Sequence, residues 1–308
     1  MATTGTFRYF DPASLTTTPS GDPIKPWAKV DTDAAASYTQ TERTRPVSNI
    51  RDAAPGAFGT DVSGFALHHA PATTKVFTAD PAAVGAEYYP EVEALLRAQL
   101  PGIKKVVIFD HTIRRHDKSS PRQPVQLVHV DQTPAAAAAR VRRHVSDAEE
   151  ADELLQGRYQ IVNVWRPIGH AATDFPLALV DWRSTVPADL VKVDLLYPVR
   201  HGDEDWSDDR GKEALADPGS VTSTAGYEVK GETFGVVPNE GHRFWYVKDM
   251  TPDEALFIKC FDSRGEGQPG GAQGLAAYTP HTAFIDPATP EGTKGRESIE
   301  VRCLVFYE

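Results

Sequence analysis

Apolar positions along this chain follow two periods. Between residues 81 and 100, Tyr88, Val92, Leu95 and Leu96, with Gln99 after them, fall on one stripe at helical spacing. Pro81 suits a first helical turn, and Pro101-Gly102 ends the run. A second helical stretch covers 134–156, opened by Pro134, carried by the alanines 135–139 and continued by Val141, Val145 and Leu154. Inside it, Ser146-Asp147-Ala148-Glu149 offers a fresh cap where the helix can restart. Elsewhere the apolar runs are short and rich in β-branched and aromatic residues. They predict strands over 104–110, 125–131, 159–165, 177–181, 190–197, 233–238, 243–248, 255–262, 276–285 and 298–307. So many short strands between turn residues predict a mainly β sandwich or barrel with flanking helices. Residues 1–60 show little periodicity and are expected to form an irregular arm wrapping the core, with at most one early strand. Nothing marks a second domain within 1–308. The basic segment 111–124 and the charged, Gly- and Pro-containing segment 201–223 read as loops.

Composition changes this picture in a few places. A net charge of -11 argues against a general nucleic-acid or anionic-membrane partner. No apolar run approaches the roughly 20 residues of a membrane span, and the first residues lack the basic and apolar regions of a secretory leader. The two cysteines, Cys260 and Cys303, sit in apolar strand-like runs, which predicts buried thiols and suits a reducing, cytoplasmic setting. Homodimer contacts are not legible.

The chemistry concentrates in His129-Val130-Asp131, set against His281 about half a chain later. On a strand, residues two apart project from one face, so His129 and Asp131 can grip one ion from one side. Two imidazoles and a carboxylate are the ligand set of a mononuclear non-haem iron site, with open positions for a bidentate co-substrate and O2. Further on, Arg296, Ser298 and Arg302 share one parity, while Ile299, Val301, Cys303 and Val305 form the opposite face. Inward-facing arginine is a bidentate, permanently charged clamp for the distal carboxylate of 2-oxoglutarate. The competing reading pairs these arginines with Glu297 or Glu300 on an outer surface.

Several strings in order then resemble the asaB-type, gibberellin desaturase-like hydroxylase/desaturase family of Fe(II)/2-oxoglutarate-dependent oxygenases. They are residues 107–114 (VIFDHTIR), 129–133 (HVDQT), 163–167 (NVWRP), 259–263 (KCFDS), 280–284 (PHTAF) and 296–302 (RESIEVR). The likeness covers roughly 85–308 and is weak before residue 40. It implies a double-stranded β-helix (jelly-roll, cupin-like) core. It also implies Fe(II) held by His129, Asp131 and His281, and hydroxylation, desaturation or oxidative cyclisation of a secondary metabolite or amino-acid-derived small molecule. By the same likeness Arg296 holds 2-oxoglutarate with Arg302 nearer the iron, or the two exchange roles, and Ser298 assists either.

Around that centre, Asn163 is a candidate for hydrogen bonding to 2-oxoglutarate or substrate. His111, Thr112, Arg114 and Arg166 are candidates for contact with a substrate carboxylate, and Leu304 and Phe306, by parity with Arg302, for lining the pocket mouth. One of Trp245 and Tyr246 should point inward, and Lys259, in an apolar strand, needs either a snorkelling stem or a buried partner. The sequence departs from the family in the acidic loop 201–213 and in the Gly-rich loop 265–274, a lid or a surface insertion. Two rival classes stand beside this reading: a non-oxygenase cupin-like metal enzyme (isomerase or hydrolase), and a catalytically silent jelly-roll binding protein.

Overall fold

A computed structural model describes residues 2–30, 35–74, 77, 80–117, 120, 123–199 and 223–308. The loop at 201–213, and Lys118 and Arg122 of the basic segment, lie outside the described residues. In chain order the elements are β1 (Thr3–Phe10), β2 (Trp27–Lys29), β3 (Gln40–Asn49), β4 (Phe65–His69), α1 (Pro81–Gln99), β5 (Ile103–Arg115) and β6 (His129–Val130). Next come α2 (Pro134–His144), α3 (Ala148–Gln156), β7 (Tyr159–Pro167), β8 (Leu177–Val180) and β9 (Leu190–Pro198). The chain ends with β10 (Tyr227–Val236), β11 (Phe244–Tyr246), β12 (Glu254–Asp262), β13 (His281–Ala283) and β14 (Glu297–Tyr307).

The strands form a nine-stranded sheet, in the order β1-β3-β11-β8-β13-β6-β10-β9-β2, and a five-stranded sheet, β4-β12-β7-β14-β5. The two curl into a jelly roll. Alternation along each strand divides the apolar side chains into layers. Between the sheets, Ile161, Trp165, Leu256, Ile258, Leu304 and Phe306 meet Leu177 and Leu179, and α2 and α3 close one end with Ala137, Val141, Val145 and Leu154. The other face of the five-stranded sheet buries Val162, Val164, Phe257, Ile299, Val301, Cys303 and Val305 under Val84, Tyr88, Val92 and Leu96 of α1. The outer face of the nine-stranded sheet packs Val128, Val130, Ala178 and Val180 against Phe7, Tyr9 and Phe244.

Caps fix the helices where the sequence places them. Asp80 accepts from Ala82 N ahead of Pro81, Thr133 accepts from Ala136 N ahead of Pro134, and Asp147 accepts from Glu149 N and Glu150 N. The second helical stretch therefore splits in two at the predicted restart. Pro90 lies inside α1, where it removes one backbone donor, and the helix continues because its buried stripe is packed on the sheet.

The N-terminal expectation is corrected. Residues 1–60 contribute β1, β2 and β3, and β1 pairs with β3 over its whole length. Strand β3, QTERTRPVSN, buries only its last few positions, so hydrophobic alternation is missing from most of it. Strand β5 runs on to Arg115, into the segment read as a loop. Cys260 and Cys303 are buried free thiols. Lys259 is paired: it donates to Asp61 and Asp262, each at 2.7 Å, and to the Ala276 carbonyl. Trp245 packs toward the inter-sheet core and Tyr246 toward the outer one. The Gly-rich loop bonds to itself, Glu266 N to Leu275 O and Ala272 N to Arg264 O. A Cβ on Gly265 would come 2.4 Å from Ala277 Cα, so only glycine fits there.

Candidate metal centre and cosubstrate cavity

His129 and His281 are direct cross-strand partners on the neighbouring strands β6 and β13. Opposed residues in an antiparallel pair share a face, and the two ring centroids are 4.5 Å apart. The chain leaves β6 just past Val130 and turns the Asp131 carboxylate back to the same point. Its Oδ1 is 3.2 Å from His129 Nε2 and 3.8 Å from His281 Nε2. One ligand atom from each of the three residues lies within 4.8 Å of the others.

Backbone carbonyls orient both rings. His129 Nδ1 is 2.7 Å from Leu127 O and His281 Nδ1 is 3.0 Å from Thr279 O. With each Nδ1–H donating to its carbonyl, each Nε2 keeps its lone pair for the shared point. Asn163 Nδ2 donates to Asp131 Oδ2 at 2.7 Å, and the Cys260 thiol donates to the same oxygen at 3.5 Å. Oδ1 is thereby turned toward the imidazoles. Burial alone would raise the Asp131 carboxyl, but His129, His281 and Arg302 outweigh it and hold it well below the carboxylate range. Burial, aided by His129, pushes His281 down to about 4. His129 moves up, because Asp131 outweighs its burial. An ionised carboxylate and a neutral imidazole are the states a divalent cation requires. The donor set, two nitrogens and one oxygen on one side, fits iron(II).

Beside this triad opens a cavity lined by Thr112, Arg114, Trp165, Arg296, Glu300 and Arg302. The two arginines of β14 and its approach differ sharply. Arg302 meets Asp110 through Nε and Nη2, a bidentate pair that neutralises it. Arg296 is buried with its guanidinium 5.6 Å from the Trp165 ring centroid, and its Nη1 donates to Phe175 O at 2.6 Å. Its Nε has no partner among the described residues. Burial, reinforced by Arg114, pulls its pKa down to about 9. A buried cation with an unmet donor beside a cavity is the complement of a carboxylate ligand.

The structure divides the other predicted site residues. Arg114 reaches the cavity and donates to Gln123 O at 3.0 Å. Asn163 holds the ligand carboxylate instead of facing the cavity. Ser298 is buried between the arginines but stands outside the cavity lining. Four candidates are corrected. His111 and Arg166 lie on the opposite face of the sheet, where His111 Nδ1 meets Tyr89 OH at 2.8 Å and Arg166 bonds Tyr88 OH and the carbonyls of Ala70 and Pro252. Their odd and even numbers set the facing only after the register of β5 and β7 is known. Leu304 and Phe306 share the inner face with Arg302 but sit farther along β14, packed with Val141, Leu154 and Tyr159 in the dry core.

Glu300, which the sequence offers only as an outer-surface partner for the arginines, shares parity with Arg296, Ser298 and Arg302 and could have been placed inward that way. It lines the cavity, and burial together with Asp131 raises its pKa. Asp110 was hidden by a bulge: Arg302 pairs with Asp110 but Cys303 with Ile108, so the alternation of β5 resets at Phe109.

A jelly roll with a His-Asp-His triad next to a buried arginine whose Nε has no partner among the described residues is the arrangement expected of mononuclear non-haem iron oxygenases that use a 2-oxo acid. Comparison with known proteins narrows the class. A family model described as YDMC, Oxidoreductase/YMDC permease-like domain, matches residues 8–306. The hydroxylase/desaturase poxK of Penicillium oxalicum is 36% identical over 225 residues, 72% of this chain and 65% of that protein. The Fe(II)/2-oxoglutarate-dependent dioxygenase nvfI of Aspergillus novofumigatus is 33% identical over 231 residues, 74% of this chain and 69% of that one. A solved structure of the iron and alpha-ketoglutarate-dependent endoperoxidase NvfI superposes with a TM-score of 0.71 at 25% identity, covering 99% of this chain and 98% of that chain. The chain belongs to this oxidoreductase family, alongside relatives named as a hydroxylase/desaturase and as an Fe(II)/2-oxoglutarate-dependent dioxygenase. It spans just under two thirds of the length of poxK, the first of these relatives. No helix among the described residues is long and apolar enough to cross a membrane.

Proposed function

We propose that this chain is an Fe(II)/2-oxoglutarate-dependent oxygenase that hydroxylates, desaturates or cyclises a small molecule, a secondary metabolite or an amino-acid-derived compound. It works as one domain in the cytoplasm, without nucleic acid. The observation that carries this reading is the buried Arg296 guanidinium beside the triad, whose Nε has no partner among the described residues. A non-oxygenase metal enzyme would have no use for it, and an isolated buried cation is costly.

His129, Asp131 and His281 would hold the metal. Arg296 takes the distal carboxylate of 2-oxoglutarate. Arg302, neutralised by Asp110, lines the cavity wall, and Asn163 with Cys260 fixes Asp131. Once bound, iron and 2-oxoglutarate supply dioxygen activation and hydrogen-atom abstraction from an unactivated carbon. The protein positions the target carbon and keeps bulk water out of the cavity. Room for the substrate is offered by Arg114, Thr112 and Glu300. A second cavity also reaches Asp131 and Gln132, between the alanine face of α2 and the β9–β10 ribbon.

An anaerobic titration of the metal-free protein with Fe(II) and 2-oxoglutarate, followed by visible absorption, tests the reading. A charge-transfer band that needs both components is expected. Tight metal binding with no band would refute the 2-oxoglutarate assignment, and no metal binding would refute the triad.

A further inference from the structure

One of two unusual backbone positions among the described residues lies beside Arg296. Among the described residues, Phe175 and Asp249 have positive φ without being glycine. Phe175, at φ 43°, is bulky and precedes a proline, and both properties disfavour that conformation. Such strain persists where neighbours over-determine it, and here they do. The Phe175 ring packs on His116, with centroids 4.1 Å apart. Asp174 Oδ2 accepts from Arg296 N at 3.1 Å and lies 2.5 Å from His116 Nδ1, while His116 N donates to Arg296 O at 2.8 Å. On the far side, Phe284 N donates to Pro176 O. Gly295 lets the strands close, since a Cβ there would fall 2.2 Å from His116 O. The product of this arrangement is one contact: the Phe175 carbonyl takes Arg296 Nη1 at 2.6 Å.

A guanidinium grips a carboxylate bidentately along one edge. With Nη1 held by Phe175, the edge formed by Nε and Nη2 is the one left for a ligand. We propose that Phe175 is a positioning residue whose left-handed backbone, anchored by its ring on His116, turns that edge of Arg296 into the cavity to receive the distal carboxylate of 2-oxoglutarate. The proposal rests on Arg296 being the 2-oxoglutarate clamp.

The test replaces Phe175 by Gly, Ala and Val and Arg296 by Met, and measures two affinities anaerobically: Co(II) for the metal-free protein, and 2-oxoglutarate for the metal-loaded one. Glycine loses the ring but relieves the strain, so Phe175→Gly should keep 2-oxoglutarate affinity within about threefold. Alanine loses the anchor and keeps the strain, so Phe175→Ala should weaken it about tenfold. Phe175→Val should be weaker still, with Co(II) affinity unchanged in all three. Should Phe175→Val not fold, the Gly and Ala pair alone decides. Equal losses in Gly and Ala would mean that the ring matters and not the backbone, and wild-type affinity in Ala and Val would mean that neither does; each overturns the proposal. Arg296→Met separates the premise: if it loses 2-oxoglutarate while Phe175→Ala does not, only the positioning role fails. If it binds normally, the clamp assignment fails and the positioning role with it.

Discussion

Replacing Asn163 by Ala should weaken metal binding while leaving the fold nearly as stable. Asn163 donates one hydrogen bond to Asp131 Oδ2 at 2.7 Å, and its own Oδ1 is buried without a partner among the described residues. A hydrogen bond to a charged group contributes about 1.5–3 kcal/mol. The remaining donor to that oxygen is the Cys260 thiol at 3.5 Å, a weak one. Loss of the amide therefore frees the carboxylate to rotate away from the imidazoles, and metal affinity should fall by roughly 10- to 100-fold, the usual range for such supporting groups. Removing the unsatisfied Oδ1 at the same time relieves a desolvation cost of about 1–3 kcal/mol, which offsets much of the stability lost with the bond. The assay is anaerobic titration of the metal-free protein with Co(II), read by its visible bands, beside a urea midpoint without metal. Wild-type metal affinity in Asn163→Ala would refute the reasoning, and so would a stability loss as large as the loss in metal binding energy.

Three further outcomes are expected. Arg296→Met should weaken 2-oxoglutarate binding by roughly 10- to 100-fold, the worth of charge-assisted hydrogen bonds. Arg302→Met should instead destabilise the fold by about 3 kcal/mol, because Asp110 loses its partner; calorimetry on both variants checks the contrast. Saturating the protein to 100 times the metal Kd should add about 2.7 kcal/mol, or about 4 °C in Tm, and Asp131→Ala should abolish that shift. Asp262 supplies a pH test: its burial would raise its pKa, but Arg158 and Lys259 outweigh this and bring it down from 3.8 to about 2. A depressed carboxylate stabilises above its unfolded pKa and loses that contribution as pH falls through the folded one. Urea midpoints between pH 5 and pH 2 should therefore show a stability loss about 2 kcal/mol larger in wild type than in Asp262→Asn.

The sequence alone was sufficient for the helices, most strands after residue 158, the buried thiols and the choice of His129, Asp131 and His281 as the candidate cluster. These are local signals: caps with proline at the first turn, alternation of side chains, and a His-x-Asp whose spacing matches the pleat. It was also sufficient to put Arg296 and Arg302 on one face of one strand. Strands near the N-terminus escaped because β3 is polar over most of its length and is held by pairing to β1 and β11, not by its own hydrophobic pattern.

Only the tertiary structure decided which arginine is spent and which is open. The bulge at Phe109 brings Asp110 opposite Arg302, and no local signal announces a register shift. The same dependence on register sent His111 and Arg166 to the α1 side and left Arg114 in the cavity. Depth was equally invisible: Leu304 and Phe306 have the parity of Arg302, but parity gives a face and not a position along the roll. What brought His129 and His281 together is a pairing between strands half a chain apart, and that contact exists only once the sheet has closed. A sequence carries the period of its side chains directly, whereas register, bulges and long-range pairing are properties of two strands at once.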